Sequence, residues 1–264
     1  MKEKRVFIIT GANGAIGKAI AHKIALDHQN QIVLLARNEA KLKAAKEEIL
    51  RVSKNELISY LVADLSDQSE IKSLADSWVG SLDVLVNNAA ACPLDRIENK
   101  AGIEMQFACN VLGYFWMAKY LRPILKESKE ARIVNVASYY SGGLDLSDLE
   151  FKKRSYDNNS AYRQSKQANR MLTRVFAALY QGDGITVNSC HPGDVPSSLA
   201  SDLGFGGSMT ALEGADTPAY LALSSEFAGK TGLYFEDKKP VTCRFEDLKA
   251  EAEKLYEICN SYEL

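Results

Sequence analysis

The 264-residue sequence predicts an α/β fold: one doubly wound, Rossmann-type parallel sheet of about seven strands with helices on both faces. Three observations carry this expectation. Short β-branched runs alternate with amphipathic stretches along most of the chain. The runs are apolar almost throughout, as in strands covered on both faces. No Pro- or Ser-rich linker interrupts the alternation, and no repeat with a period of roughly 20–50 residues appears. Residues 1–264 therefore read as a single domain.

Each element follows from its own residues. Residues 5–10 form the first strand, and 15–28 carry Ile16, Ile20 and Ile24 at i,i+4 spacing, one face of a helix. Gln31–Ala36 is the second strand, after which Leu42, Ala45, Ile49 and Val52 recur at helical spacing. Residues 57–62 make a third strand, 67–80 a helix and 82–86 a fourth strand. A long helix over 102–127, a strand at 132–137, a helix at 159–180 and a strand at 185–190 continue the order. Right-handed crossovers then place helices on both faces. Two segments depart from the rhythm: 139–160, polar and rich in Gly, Asp and Asn, and 193–216, with five glycines and no period. Loops of that length are uncommon unless functional. Both follow strands, whose carboxyl ends are where an open α/β sheet holds its ligands.

Composition removes whole classes of function. Lys and Arg number 32 against 34 Asp and Glu, a net charge of −2, so no basic footprint marks nucleic acid or an anionic membrane as the main partner. A hydrophobic share of 46% with 25% charged residues is globular and argues against disorder. No apolar stretch approaches the roughly 20 residues of a membrane-spanning helix. The apolar run after Met1-Lys2-Glu3-Lys4-Arg5 is shorter than the roughly 7–15 residues of a signal-peptide core. Cys92, Cys109, Cys190, Cys243 and Cys259 are odd in number, widely separated and without a CxxC pair, which reads as reduced thiols of a cytoplasmic protein.

Thr10-Gly11-Ala12-Asn13-Gly14-Ala15-Ile16-Gly17 lies between the first strand and the first helix. Glycines there permit a tight turn and close approach of backbone to a pyrophosphate, and the helix N-terminus adds N–H donors and positive dipole. The position after the first strand of a βαβ unit is the context that such a loop requires. The end of the second strand discriminates between dinucleotides. An acidic residue there holds a ribose 2′-hydroxyl, whereas arginine accommodates a 2′-phosphate. The sequence has Ala36-Arg37-Asn38, with no carboxylate at the turn, so NADP(H) is the expected cofactor.

Tyr162 and Lys166 open a helix at i,i+4 and project from one face. A free phenol is a poor base at neutral pH, but an ammonium within about 4–6 Å favours phenolate and lowers its pKa. A phenol so tuned transfers a proton to or from a substrate oxygen. Tyr234 and Lys238 share the spacing but lie in a strand running into a turn, where they are not helical neighbours, and read as structural. Tyr139, Tyr140 and Tyr156 have no lysine four residues on and read as pocket wall or loop packing.

With these residues in place the sequence resembles the short-chain dehydrogenase/reductase family over nearly its whole length. The motifs stand in order: the glycine loop at 10–17, Asp64-Leu65, Asn87-Asn88-Ala89-Ala90, Asn110, Ser138 after Val134-Asn135-Val136-Ala137, Tyr162 with Lys166, and Pro192-Gly193. The resemblance implies Tyr162 as acid/base, with Lys166 tuning it and holding the nicotinamide ribose. Ser138 would hydrogen-bond the substrate oxygen, and Asn110 would position a water between Lys166 and solvent. Gly11, Asn13, Gly14, Ala15, Ile16 and Gly17 would cradle the pyrophosphate, with Arg37 and Asn38 at the 2′-phosphate. Asp64 and Leu65 would line the adenine site, Asn88, Ala89 and Ala90 the cofactor cleft, and Pro192, Gly193, Val195 and Ser197 would cover the nicotinamide. Two departures are exchanges of small residues: Ala15 replaces the family's middle glycine, and Ala90 a glycine after the fourth strand. No metal ligands are implied, and Cys92 and His191 read as structural.

The long Ser138–Tyr162 separation resembles the retinol-dehydrogenase-like branch, as do Ala36-Arg37, Ser165-Lys166-Gln167-Ala168-Asn169, His191-Pro192-Gly193 and Gly232-Leu233-Tyr234-Phe235. That branch implies NADPH and a lipophilic or aromatic ketone, aldehyde or alcohol as small-molecule substrate. Many of its members carry an N-terminal membrane segment that this sequence does not show. A lid over 197–212 offers Leu199, Leu203, Phe205 and Met209, which either wall the substrate or simply pack. The expected activity is a reversible carbonyl reductase. Reduction of a C=C bond and a non-catalytic NADP(H)-sensing regulator are the alternatives. The resemblance implies a homodimer or homotetramer packed through helices, an arrangement with which the longer 139–160 loop could interfere.

Overall fold

The computed structural model describes residues 4–263. Eight strands lie in one sheet in the order β3-β2-β1-β4-β5-β6-β7-β8. They are β1 (Val6–Thr10), β2 (Gln31–Ala36), β3 (Ile58–Val62), β4 (Val84–Asn87), β5 (Arg132–Val136), β6 (Thr186–Cys190), β7 (Tyr234–Glu236) and β8 (Lys239–Val241). All neighbours pair in parallel except β7 and β8. Alternation within β1 explains the double winding. Val6 and Ile8 face one core, and Phe7 and Ile9 face the other. The first core packs beneath α3 (Gln68–Asp76), α4 (Gly113–Leu125), α5 (Asn158–Tyr180) and α9 (Lys249–Asn260). The second packs beneath α1 (Ala15–Ala25), α2 (Glu39–Ser53) and α8 (Asp216–Leu223), where Ile20, Ile24, Leu42 and Ile49 are buried.

Helix starts are set locally. The Asn38 side chain accepts from Lys41 N, Asp67 from Ser69 N and Asp157 from Ser160 N, each capping the helix that follows. Glu104 accepts from the amides of Gln106 and Phe107 at 2.9 and 2.7 Å. The helix expected over 102–127 therefore starts only at Met105 and ends with α4. Between Phe107 and Leu112 it widens into a π-helical turn that carries Asn110, a feature without apolar periodicity to announce it.

Other expectations are corrected. Two-sided burial fails at β3, an edge strand with only Ile58 buried, and Val52 of α2 is 56% exposed and outside the core. The sheet has eight strands instead of about seven, because Asp237 and Lys238 take left-handed backbone (φ 47° and 63°) and fold β8 back as a hairpin. Neither is glycine, so the turn is silent in the sequence. The aperiodic 193–216 holds two short helices, α6 (Ser198–Asp202) and α7 (Ala211–Gly214).

Strand order reverses beside β1, with β2 on one side and β4 on the other. A crevice opens there beyond the carboxyl ends of β1 and β4, and the candidate site occupies it.

Candidate active site

The crevice begins where Thr10 ends β1. Its hydroxyl accepts from the amides of Asn88 and Ala89 at 2.8 and 3.0 Å, and its carbonyl from Asn88 Nδ2 at 2.9 Å, so β1 and β4 are stitched together at their tips. Gly11 turns through φ 64°, and a β-carbon on it would stand 2.8 Å from Ala89 Cα. Gly17 is equally constrained, since its β-carbon would meet Gly11 O at 2.4 Å. Gly14 begins α1 without any side-chain cap, leaving the first-turn N–H groups to the groove. Ala15 is the first residue of α1 and sits there without displacing the loop.

The groove holds about 550 Å³. One wall is the loop, from Gly11 and Asn13 through Gly14, Ala15, Ile16 and Gly17. Arg37 and Asn38 border it at the end of β2, Asp64 and Leu65 beyond β3, and Asn88, Ala89 and Ala90 beyond β4, with Ser197 reaching over from the opposite side. Sequence reasoning missed Lys41, in the first turn of α2, and Cys109, beside Asn110. The Arg37 side chain is 68% exposed and 3.9 Å from Asp64 Oδ2, while Lys41 has no ion pair among the described residues. The Asn38 side chain is committed to capping α2.

A second cavity of about 80 Å³ adjoins the groove, and Ile16, Ser197 and Leu199 line both. Ser138 and Tyr162 face each other in it. Pro192, Gly193 and Val195 form one wall, and Tyr139, Tyr140 and His191 another. Leu199, Leu203 and Phe205 close the top. Leu203 packs with Tyr162 and Cys92, Phe205 meets the Tyr140 ring edge-on at 5.0 Å, and Asn158 Nδ2 donates to Asp202 O at 2.8 Å. Met209 instead lies against Gly193, outside the cavity.

Lys166 is buried below this cavity. Its Nζ donates to Val136 O at 2.9 Å and lies 5.6 Å from the centre of the Tyr162 ring. The expected lowering of the phenol by this ammonium does not appear. Burial dominates, raising Tyr162 well above the ordinary phenol range with Cys92 adding to the rise, while the Ser138 hydrogen bond opposes it. Burial likewise pushes Lys166 down to about 8. Asn110 is buried in the π-helical turn beside them. Its side chain clamps Ala91, accepting from the amide at 2.7 Å and donating to the carbonyl at 2.9 Å, and its Nδ2 also reaches Ser165 Oγ at 3.3 Å.

Of the other singled-out residues, Tyr139 and Tyr140 are cavity wall, whereas Tyr156 packs the loop by donating to Pro93 O at 3.0 Å. Tyr234 lies under Arg170 and Lys238 pairs with Asp216 at 3.6 Å, a structural use of both. Cys92 is buried and its thiol pushed up to about 12 by desolvation. His191 is more than a packing residue. It lines the cavity with its ring 4.5 Å from that of Tyr139, and burial lowers its pKa. No cluster of three or more His, Cys, Asp or Glu suited to a metal occurs among the described residues, and no helix there is long and apolar enough to cross a membrane.

Comparison with known proteins places this geometry in context. The sequence profile of the short chain dehydrogenases matches residues 5–204. Human retinol dehydrogenase 13 is 32% identical over 255 residues, covering 89% of this chain and 77% of that protein. Human dehydrogenase/reductase SDR family member 12 is 34% identical over 96% of this chain and 84% of its own length. Among solved structures, a Mycobacterium paratuberculosis protein superposes with a TM-score of 0.81 at 26% identity, covering 99% of this chain and 95% of that one.

Proposed function

The chain belongs to the short-chain dehydrogenase/reductase family, in its retinol-dehydrogenase-like branch, and from that premise we propose that it is an NADPH-dependent carbonyl reductase, reversible as an alcohol dehydrogenase. The family membership makes it an oxidoreductase using a nicotinamide cofactor. The observation that carries the finer reading is the junction of the two spaces. A groove with a pyrophosphate turn opens at Ile16, Ser197 and Leu199 into a cavity holding Ser138 and Tyr162.

The groove fits a dinucleotide. Gly11 and Gly17 leave a cradle that a β-carbon would fill, and the uncapped start of α1 points N–H groups into it. Arg37, held only loosely by Asp64, and Lys41, without an ion pair among the described residues, supply two cations for a 2′-phosphate. When bound, the nicotinamide supplies or accepts the hydride at the substrate carbon. The chain's own residues manage the oxygen. Ser138 donates a hydrogen bond to it, and Tyr162 delivers the proton that completes the alcohol, taking it back in the reverse direction. Burial keeps Tyr162 protonated, which suits a proton donor, and Lys166 near neutrality can restore that proton. The Leu199, Leu203 and Phe205 roof with the Tyr139 and Tyr140 wall favours a lipophilic or aromatic substrate. Retention of both Tyr162 and Lys166 weighs against a purely regulatory protein.

A panel of ketones, aldehydes and alcohols followed by NADPH absorbance tests the reading. Tyr162→Phe should lower turnover by about 10²–10⁴-fold while leaving NADPH affinity nearly unchanged. Turnover retained in the variant would overturn the acid/base assignment.

A further inference from the structure

Outside groove and cavity, three arginines converge on one bend of the chain. The segment after Ser138 turns at Ser141–Gly142, where Gly142 has φ 143°. The Ser141 hydroxyl accepts from Arg170 Nη1 and Arg244 Nη2, each at 3.2 Å. Arg244 Nη2 and Arg163 Nη2 stand 3.3 and 3.4 Å from the point a β-carbon on Gly142 would occupy, so the glycine keeps open the space these groups border. Arg163 and Arg170 come from α5, and Arg244 from the segment after β8.

None of the three forms an ion pair among the described residues, including with Glu236 beside Tyr234. Other arginines of the chain, Arg122, Arg132 and Arg154, are paired with Asp183, Glu130 and Asp148. Arg170 is 4% exposed and stacks on Tyr234 at 3.5 Å, with Phe245 at 5.0 Å. That contact compensates part of its burial. Its Nε, and that of Arg163, remain buried without a partner. Like charges gathered around one hydroxyl repel, and a buried guanidinium is ordinarily matched by an anion. The described residues supply none here.

We propose that Arg163, Arg170 and Arg244, gathered around the Ser141–Gly142 bend, form a binding site for an oxyanion, the phosphate or carboxylate of a small molecule; the Ser141 hydroxyl, which donates to Tyr139 O at 3.3 Å, orients two of them. Guanidinium forks match both groups bidentately. The site backs onto the cavity wall, since the Arg163 guanidinium lies over the Tyr140 ring at 5.3 Å and Arg163 follows Tyr162 directly. An anion there ties the start of α5 to the segment bearing Tyr139 and Tyr140. It arrives either as the charged tail of a substrate or as a free oxyanion. The site itself does not rest on the assigned reaction.

Calorimetric titration with inorganic phosphate tests the proposal, with NADPH saturating so that the pyrophosphate loop is already filled (NADH serves if it binds more tightly). Arg163→Gln with Arg244→Gln should weaken phosphate binding at least tenfold and leave nucleotide affinity unchanged. Arg244→Gln alone, at an exposed position, should weaken it at least threefold and covers failure of the double variant to fold. Absence of phosphate binding by the parent protein, or equal binding by the variants, would overturn the site. Paired carbonyl substrates with and without a carboxylate tail separate the sources. A kcat/KM loss confined to the charged member in Arg244→Gln identifies a substrate tail, and equal turnover of both with phosphate binding lost identifies a free oxyanion.

Discussion

Replacing Gly17 by alanine pits two opposed effects against each other inside the glycine turn at residues 10–17. Gly17 is the third residue of α1, so helix propensity alone favours alanine by about 1 kcal/mol. The new β-carbon, however, would stand 2.4 Å from Gly11 O and 2.6 Å from Asn88 Nδ2. Both neighbours must retreat by about 1 Å to reach ordinary contact, and neither is free to do so. Gly11 O accepts from Gly14 N at 3.0 Å, and Asn88 Nδ2 donates to Thr10 O at 2.9 Å. Overpacking of this kind costs about 1–3 kcal/mol, and weakening one of those hydrogen bonds adds about 1 kcal/mol. After the propensity gain, the net loss should be about 2 kcal/mol. Gly14→Ala is the internal control, because its β-carbon would be 3.4 Å from the nearest atom, again Gly11 O. Urea unfolding followed by circular dichroism should show the loss in Gly17→Ala and little change in Gly14→Ala. NADPH binding followed by nucleotide fluorescence should weaken about tenfold in the first only, the equivalent of about 1.4 kcal/mol. Equal stability of Gly17→Ala and the parent, or equal effects of both substitutions, would refute the cradle.

Other outcomes follow from the same geometry. Arg37→Asp should shift preference from NADPH toward NADH by roughly 10–100-fold, the worth of one charge-assisted phosphate contact, and an unchanged ratio of kcat/KM values would remove Arg37 from the 2′-phosphate. Lys166 titrates near 8 in the fold against 10.5 ordinarily, so the unfolded chain binds more protons between those values and stability rises with pH across that window. Relative to Lys166→Met, the parent should therefore gain about 3 kcal/mol from pH 8 to 10.5 in denaturant titrations, and a constant gap would contradict the burial argument. Cys92, held up at about 12, should resist iodoacetamide in the folded protein at pH 8. Rapid labelling at that position in a peptide map would show that the packing of Leu203 and Tyr162 on Cys92 opens.

Much of the site was legible in the sequence because its requirements are local. Gly11 needs left-handed backbone, Gly17 needs the absence of a β-carbon, and Tyr162 and Lys166 need one helical face. Each can be argued from a few neighbouring residues. Lys41 shares that locality, in the first turn of α2, and a second cation close behind Arg37 is the signal that finds it. The π-helical turn at Asn110 carried no such signal, since it follows from hydrogen bonding and not from apolar pattern. The non-glycine turn at Asp237-Lys238 concealed β8 for a related reason.

Electrostatics marks the larger divide. The Tyr162–Lys166 spacing correctly predicted two neighbours, but spacing says nothing of solvent. Only the packing of Leu203 and Cys92 on the phenol, and of the lysine beneath it, made desolvation outweigh charge–charge attraction. Asn110 likewise takes a side-chain partner, Ala91, from 19 positions away, which no local spacing announces. The sequence by itself determined the doubly wound sheet and the glycine turn, and it marked out the Tyr162–Lys166 pair, because backbone conformation and side-chain periodicity act over a few residues. Tertiary structure alone decided which groups lost water and which distant chains met, as when Arg244 reaches Ser141 from 103 positions away. Burial and long-range convergence belong to the assembled chain, and no local pattern encodes them.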